Sequence, residues 1–290
     1  MWPIQLLASR QAAEKLNDFQ VYKINSSQSL EPSGLTFKGK QLYMVSDNTS
    51  AIFKLSFTNQ KHAIAEAHQQ LDDSQLSTTN LDLEGITVVD EKFFVVSELH
   101  HKLIAVYAEK LAWVPEFGGV YAEAFEFGLF QLFNAGIEAV TYLGDHTFLL
   151  AIERQPRGLI EVTFDANFKN IVKQSNQFFD SSKYPPTEPR HPDLTGLYYH
   201  DEVIYALHRN AYLIHELIKD QQGVYQEGRA WSYEHIVRSP DYAYQDMQFG
   251  HAEGLAVDDD YFYIVIDNNH NPSLKNPNDK RPLLIRAKRK

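Results

Sequence analysis

Hydrophobic and polar positions along the chain follow one pattern five times over. The segments are SGLTFKGKQLYMVSDNTSAIFKL from Ser33, EGITVVDEKFFVVSELHHKLIAV from Glu84, EAVTYLGDHTFLLAIERQPRGLIEV from Glu138, TGLYYHDEVIYALHRNAYLIHEL from Thr195 and EGLAVDDDYFYIVIDNNHNP from Glu253. Each opens on a small or acidic residue, often followed by Gly, and continues into an apolar pair. A polar turn, a second apolar stretch and an Asp, Glu or His complete it. The apolar positions alternate as in strands and do not show the 3.6-residue period of a helical solenoid. The opening positions lie 51, 54, 57 and 58 residues apart. A strand-rich repeat of that length reads as the blade of a β-propeller.

Within each repeat the first hairpin turn is expected at Gly39-Lys40, Asp90-Glu91, Gly144-Asp145, His200-Asp201 and residues 258–260. Polar pairs and glycine suit such turns. The chain ends fit a closed ring. The last repeat has two inner strands and a third at residues 283–288, then runs out of chain. Residues 19–24 form a strand with no repeat of their own. If that strand completes the last blade, no sheet edge is left open. The expected fold is all-β, a single β-propeller domain over residues 1–290 of five four-stranded blades closed by the N-terminal strand. Six blades fit less well, because residues 1–30 are too few for another. Residues 1–18 are expected to form a short helix or arm, with amphipathic patterning over residues 6–16.

In a propeller the innermost strand starts at the face to which the second strand returns. Two positions per repeat therefore meet at one end of the channel. The first set is Ser33, Glu84, Glu138, Thr195 and Glu253; the second is Asp47, Glu98, Glu153, His208 and Asp267. Seven carboxylates and one imidazole would converge there. Crowded carboxylates cannot all ionise cheaply, so they take up protons or recruit a cation. Oxygen donors alone suit a hard ion such as Ca²⁺. Glu84, Glu98, Glu138, Glu253, Asp267 and Asp47 are the candidate metal ligands, with Asn48, Asn268 and Asn269 as added carbonyl donors. Arg154 and Arg209, each one residue after a ring position, could neutralise part of the ring instead.

Composition narrows the choice. The 290 residues carry 27 Lys and Arg against 38 Asp and Glu, a net charge of −11. That balance disfavours binding to nucleic acid or to an anionic membrane. The absence of cysteine excludes a thiolate metal site, a Cys nucleophile and a disulfide framework. No apolar run is long enough for a membrane span. The first residues lack the basic start of a signal peptide, so the chain as written reads as cytoplasmic. A periplasmic or secreted location is the alternative if a signal peptide has been removed.

Other signals are weaker. No serine of a GxSxG elbow and no HExxH zinc motif occurs. His100-His101 reads as a surface pair beyond Glu98, and residues 258–260 as a solvated acidic turn. Two long connections, residues 174–192 and 221–250, precede inner strands and so reach the acidic face. They could act as lids, or their aromatics could simply pack between blades.

The phrases LEGI, GIEAV with its following AIER, AEGL and the closing IDNN resemble the repeats of the phytase-like esterase family, labelled "esterase-like activity of phytase". They also resemble the SdiA-regulated propeller family of bacteria. The resemblance spans about residues 31 to 269 and implies a propeller, a calcium ion in or near the channel, and ester hydrolysis. The positions that match are Glu84, Glu98, Glu138, Glu153, Glu253 and Asp267; Ser33, Thr195 and His208 depart from the pattern. A more distant similarity is to six-bladed calcium lactonases, against which the five repeats argue.

Two readings follow. In one, ring carboxylates hold Ca²⁺, the ion polarises a phosphoester or carboxyl ester, and Glu153 or His208 is the general base. The substrate is then a small anionic or ester molecule. In the other, the propeller binds a ligand or a protein partner without catalysis and any cation is structural. A cationic small molecule bound directly by the ring is a third option.

Overall fold

The computed structural model describes residues 13–289, apart from 109, 187–188 and 248–249. Most of the expected helix over residues 6–16 lies outside them. Within them come two strands, β1 (Glu14–Lys15) and β2 (Phe19–Asn25). The first repeat supplies β3 (Pro32–Lys38), β4 (Gln41–Ser46), β5 (Ala51–Phe57) and β6 (His62–Gln70). The second supplies β7 (Leu83–Val89), β8 (Lys92–Ser97), β9 (Lys102–Val106) and β10 (Leu111–Trp113), followed by the helix α1 (Phe117–Phe127). The third supplies β11 (Ile137–Gly144), β12 (Thr147–Ile152), β13 (Gly158–Phe164) and β14 (Ile171–Phe178). The fourth supplies β15 (Gly196–His200), β16 (Val203–His208), β17 (Leu213–Lys219) and β18 (Tyr225–Ser232), then the one-turn helix α2 (Glu234–Val237). The last strands are β19 (Ala252–Val257), β20 (Tyr261–Ile266) and β21 (Leu283–Lys288).

The protein is all-β and propeller-like. Neighbouring strands within each repeat are antiparallel and keep chain order across the sheet. β2 lies antiparallel to β21, with Phe19 opposite Ala287 and Lys23 opposite Leu283. It also pairs in parallel with β6 at Lys23 to Asn25. The chain start therefore joins the first and last sheets. β1 pairs in parallel with β18.

The innermost strands β3, β7, β11, β15 and β19 touch one another in cyclic order. Their close approach explains the recurrent glycine near each strand start. A Cβ on Gly85 would lie 2.6 Å from the Val140 backbone nitrogen, and one on Gly254 would lie 3.0 Å from the Gly34 carbonyl carbon. Only a hydrogen fits at these two places without the strands moving apart, whereas Ala139 holds the equivalent position in β11. These edges lack a continuous ladder to their neighbours, so hydroxyls satisfy part of them. Thr87 Oγ1 accepts from the Tyr142 amide (3.2 Å) and Thr141 Oγ1 from the Tyr199 amide (2.9 Å).

The core is divided into layers between adjacent sheets. One layer, for example, packs Phe94 and Val96 of β8 against Phe148 and Leu150 of β12. Three hairpin turns place paired non-glycine residues at positive φ: Asp90-Glu91, Asp145-His146 and Asp201-Glu202. This is the type I′ geometry that the strand twist favours. The third and fourth turns sit one residue later than the sequence pattern implied, because β11 and β15 extend to Gly144 and His200.

Helix α1 was not expected from the pattern. It follows the three-residue β10. Phe117, Val120 and Ala124 are its buried side. Gly118 and Gly119 in its first turn weaken the helical signal. The aromatics of the two long connections mostly pack inward: Phe179, Tyr184, Tyr225, Trp231, Tyr233 and Tyr244 are buried. No helix among the described residues is long and apolar enough to cross a membrane.

Candidate functional site

The second residue of an inner strand and the residue after the second strand meet at one end of the ring. There a cavity of about 630 Å³ is lined by Ser33, Glu84, Glu138 and Glu253 together with Asp47, Glu98, Glu153 and Asp267. Eight of the ten ring positions named from the sequence thus share one cavity. One backbone bond fixes the second set. The amides of Asp47, Glu98, Glu153 and Asp267 donate to the carbonyls of Glu31, Asp82, Gly136 and His251, at 3.1, 2.9, 3.1 and 2.8 Å. Each acceptor lies two residues before an inner-strand ring position.

Thr195 and His208 do not line the cavity. The Thr195 hydroxyl donates to the Ala252 carbonyl at 2.8 Å, and that of Ser33 donates to the Leu83 carbonyl. Each hydroxyl ties its strand to the next. Two of the three departures from the acidic pattern, Ser33 and Thr195, are thus couplings between neighbouring inner strands.

The carboxylates are deeply placed and crowded. Burial, together with Asp47, Glu253, Glu98 and Asp82, pushes the Glu84 carboxyl well above its usual range. Burial and the charges of Glu84, Glu98 and Glu253 do the same to Glu138. Asp47 is pushed up to about 8 by burial and by Glu31 and Asp267. Asp267 rises to about 7, mainly by burial, although the Asn269 amide donates to it. Carboxylate oxygens of Asp82, Glu84 and Glu98 lie within 4.8 Å of one another, as do those of Glu98, Glu138 and Glu153. Glu98 is held from behind by the Gly136 amide at 2.8 Å.

Arginines occupy the other side. Arg209 donates to Asp193 at 2.9 Å, to Glu253 at 2.5 Å and to Glu153. Burial works against its charge, but Glu253, Asp193 and Glu138 outweigh it and raise its proton affinity. Arg154 pairs with Glu153 and donates to the Asn134 carbonyl at 3.1 Å. Glu153 and Glu253 thereby pair with arginine, although burial still raises the proton affinity of Glu253; among the described residues Glu84, Glu98, Glu138, Asp82 and Asp47 make no arginine salt bridge.

The base role expected for His208 does not fit its position. Its side chain is fully buried behind the ring, 3.8 Å from Asp193 Oδ1. It faces His215 edge-on. Burial, with Arg157 and His215, holds it neutral well below its ordinary value. It belongs to a structural cluster in which Arg157 donates to Glu227 at 2.7 Å. Glu227 also accepts from Ser182 Oγ at 2.9 Å and the Lys183 amide at 2.6 Å, anchoring the connection that follows β14.

Of the added carbonyl donors, Asn269 lines the cavity; Asn268 donates to the Asn271 and Lys280 carbonyls, and Asn48 accepts from Ser46. Asp258 caps its own turn by accepting from the Asp260 and Tyr261 amides, as a solvated turn should. Several residues were missed. Glu31, Asp82, Asp193 and His251 recur two positions before the inner-strand set, so the same alignment shifted by two would have found them. The two long connections also reach the cavity, through Arg190 and His191 and through Asp246.

Comparison with known proteins adds the following. The family described as SdiA-regulated matches residues 24–271. No curated protein matches the chain. Glutaminyl cyclase from Myxococcus xanthus superposes with a TM-score of 0.57 at 10% identity, over 93% of this chain and 94% of that one. A luciferin-regenerating enzyme gives 0.49 at 12% identity over 92% and 94%. Selenomethionine-substituted virginiamycin B lyase from Staphylococcus aureus gives 0.46 at 9% identity over 93% and 99%. At 10% identity the first of these is a likeness of fold.

Proposed function

The chain belongs to the SdiA-regulated family, and from that premise we propose a five-bladed propeller that binds a divalent cation at its acidic mouth and hydrolyses an ester there. The cyclic contact of the five inner strands supports the blade count. The observation that carries the functional reading is the uneven charge of the cavity. Two arginines pair with Glu153 and Glu253, while Glu84, Glu138, Asp82 and Asp47 crowd on the other side with raised proton affinity. Such a cluster either stays protonated or binds a cation.

The donor set fits a hard ion: all oxygen, buried except for the half-buried Asp82, with donor atoms close together. Asp82, Glu84, Glu98 and Glu138 would hold Ca²⁺. When bound, the ion polarises a phosphoryl or carbonyl oxygen. Glu153, pinned by Arg154 and Arg209, holds Arg154 at the cavity wall to meet an anionic substrate group. Asp267 has the proton affinity a base needs near neutrality, and we assign it the general-base role in place of Glu153 and His208.

The test is elemental analysis of the purified protein, with assays of 4-nitrophenyl phosphate and 4-nitrophenyl acetate in Ca²⁺ and in chelator. Turnover that chelator abolishes and Ca²⁺ restores is expected. Glu98→Gln and Glu138→Gln should each weaken the metal by about tenfold or more. No metal and no turnover would refute the reading. Bound calcium that raises Tm without turnover would favour a ligand-binding propeller with a structural ion.

A further inference from the structure

His208, His215 and Glu227 stand on three adjacent strands and lie outside the lining of the acidic cavity. The sheet register gathers them. His215 of β17 is opposite Ala206 of β16 and Ala230 of β18. His208 is two residues along from Ala206, so both imidazoles share one face of the sheet. Glu227 is opposite Leu217, two residues along from His215, and joins the same face. Alanines at the two cross-strand places leave room beside His215. One potential ligand atom from each of the three residues lies within 4.8 Å of the other two. Both histidines are 0% exposed and Glu227 is 3% exposed.

The three groups meet as acceptors. His215 Nδ1 donates to the Glu216 carbonyl at 3.1 Å, which places the ring proton there and leaves a lone pair on Nε2. That Nε2 lies 3.8 Å from Glu227 Oε1 and has no hydrogen-bond partner among the described residues. Neither ring nitrogen of His208 has one either. Burial holds both rings neutral, so each carries one proton and one lone pair. Glu227 accepts from Arg157, Ser182 and the Lys183 amide, which leaves one of the roughly four acceptor positions of a carboxylate. Two imidazole lone pairs and a carboxylate oxygen therefore converge in a dry interior. A water molecule has two protons to give and satisfies two of the three. A metal ion satisfies all three.

The carbonyl behind His215 is the orienting partner usual for a metal-bound imidazole. Two nitrogens and one oxygen suit a borderline ion such as zinc, whereas Ca²⁺ takes oxygen donors. We propose that His208, His215 and Glu227 form a second metal site, for Zn²⁺, separate from the acidic mouth. Arg157 remains on Glu227 as an outer partner, and Asp193 Oδ1, 3.8 Å from His208 Nε2, supplies counter-charge. The ion is a staple of the fourth repeat. It joins β16, β17 and β18, and through Glu227 it holds Ser182 and Lys183 in the connection that leads to Arg190 and His191 at the cavity. The departure of His208 from the acidic pattern then has a cause, because that residue belongs to this site.

The site is closed to solvent, so the test couples loading to folding. The full chain is unfolded in urea with chelator, freed of chelator, and refolded with or without one equivalent of ZnCl₂. Zinc-loaded protein should retain about one ion through gel filtration and gain about 5 °C or more in Tm. X-ray absorption at the zinc edge should show two imidazoles. His208→Gln and His215→Gln should each weaken zinc about 100-fold or more. Glu98→Gln with Glu138→Gln should leave zinc affinity unchanged, and His215→Gln should leave Ca²⁺ binding at the mouth unchanged, so either site can fail without the other. No retained zinc, zinc without imidazole ligands, or affinity unchanged in both histidine variants would overturn the proposal. If a histidine variant fails to refold, the absorption spectrum of the unaltered protein decides.

Discussion

Arg209 decides how the acidic mouth divides. One guanidinium reaches Asp193, Glu253 and Glu153, so positive charge is concentrated on that side of the mouth. Its place one residue after a ring position was visible in the sequence; its three partners were not, because Asp193 lies in a connection without strand pattern. His208 failed as a candidate for a related reason: its position in the repeat was read correctly, but Arg209 takes the cavity while the imidazole turns into the sheet. The buried pair behind it gives a stability prediction. Glu227→Gln leaves Arg157 buried without its counter-charge and should cost about 3–5 kcal/mol in urea unfolding.

The same residues set the pH behaviour. Burial lowers His215 to about 4 from 6.5, so the unfolded chain takes up protons that the folded one refuses. That loss of stability grows as pH falls below 6.5 and is absent above it. The raised carboxylates act in the opposite sense. Asp47 holds its proton up to about 8, whereas the unfolded chain releases it near 3.8, so metal-free stability declines as pH rises toward 8. From about pH 6.5 to 8 only the carboxylate effect remains. Tm in chelator should fall across that window, and Ca²⁺ should cancel the fall; a flat chelator profile would contradict the assigned burial of charge.

At the level of elements, glycine separates two kinds of position. Gly85 sits where β7 and β11 nearly touch, so Gly85→Ala should destabilise by about 1–3 kcal/mol. Gly118 lies on α1 with nothing within 4 Å of an added Cβ, and Gly118→Ala should stabilise by about 0.5–1 kcal/mol. Urea midpoints of the two variants should move in opposite directions. The inner strands and their turns were legible because alternation and type I′ chemistry are local. The hydroxyl bonds of Thr87 and Thr141 were not, since they satisfy strand edges in a neighbouring repeat. Helix α1 was missed because its apolar positions are interrupted by two glycines.

In the whole molecule, closure depends on β2, which bridges β21 and β6. Deleting residues 1–25 should abolish cooperative unfolding and give oligomers through the exposed edges of β21 and β6, as size-exclusion chromatography would report. The five repeats made this closure readable, because one strand was spare at the start and one was lacking at the end. The net charge of −11 also gains a location: nine of the acidic side chains line one cavity against three arginines. That excess is the central physical claim, and calorimetric titration of chelator-stripped protein with Ca²⁺ tests it most directly. A saturable site that Glu98→Gln with Glu138→Gln removes is the expected result. No binding heat and no change in Tm at millimolar Ca²⁺ would contradict it.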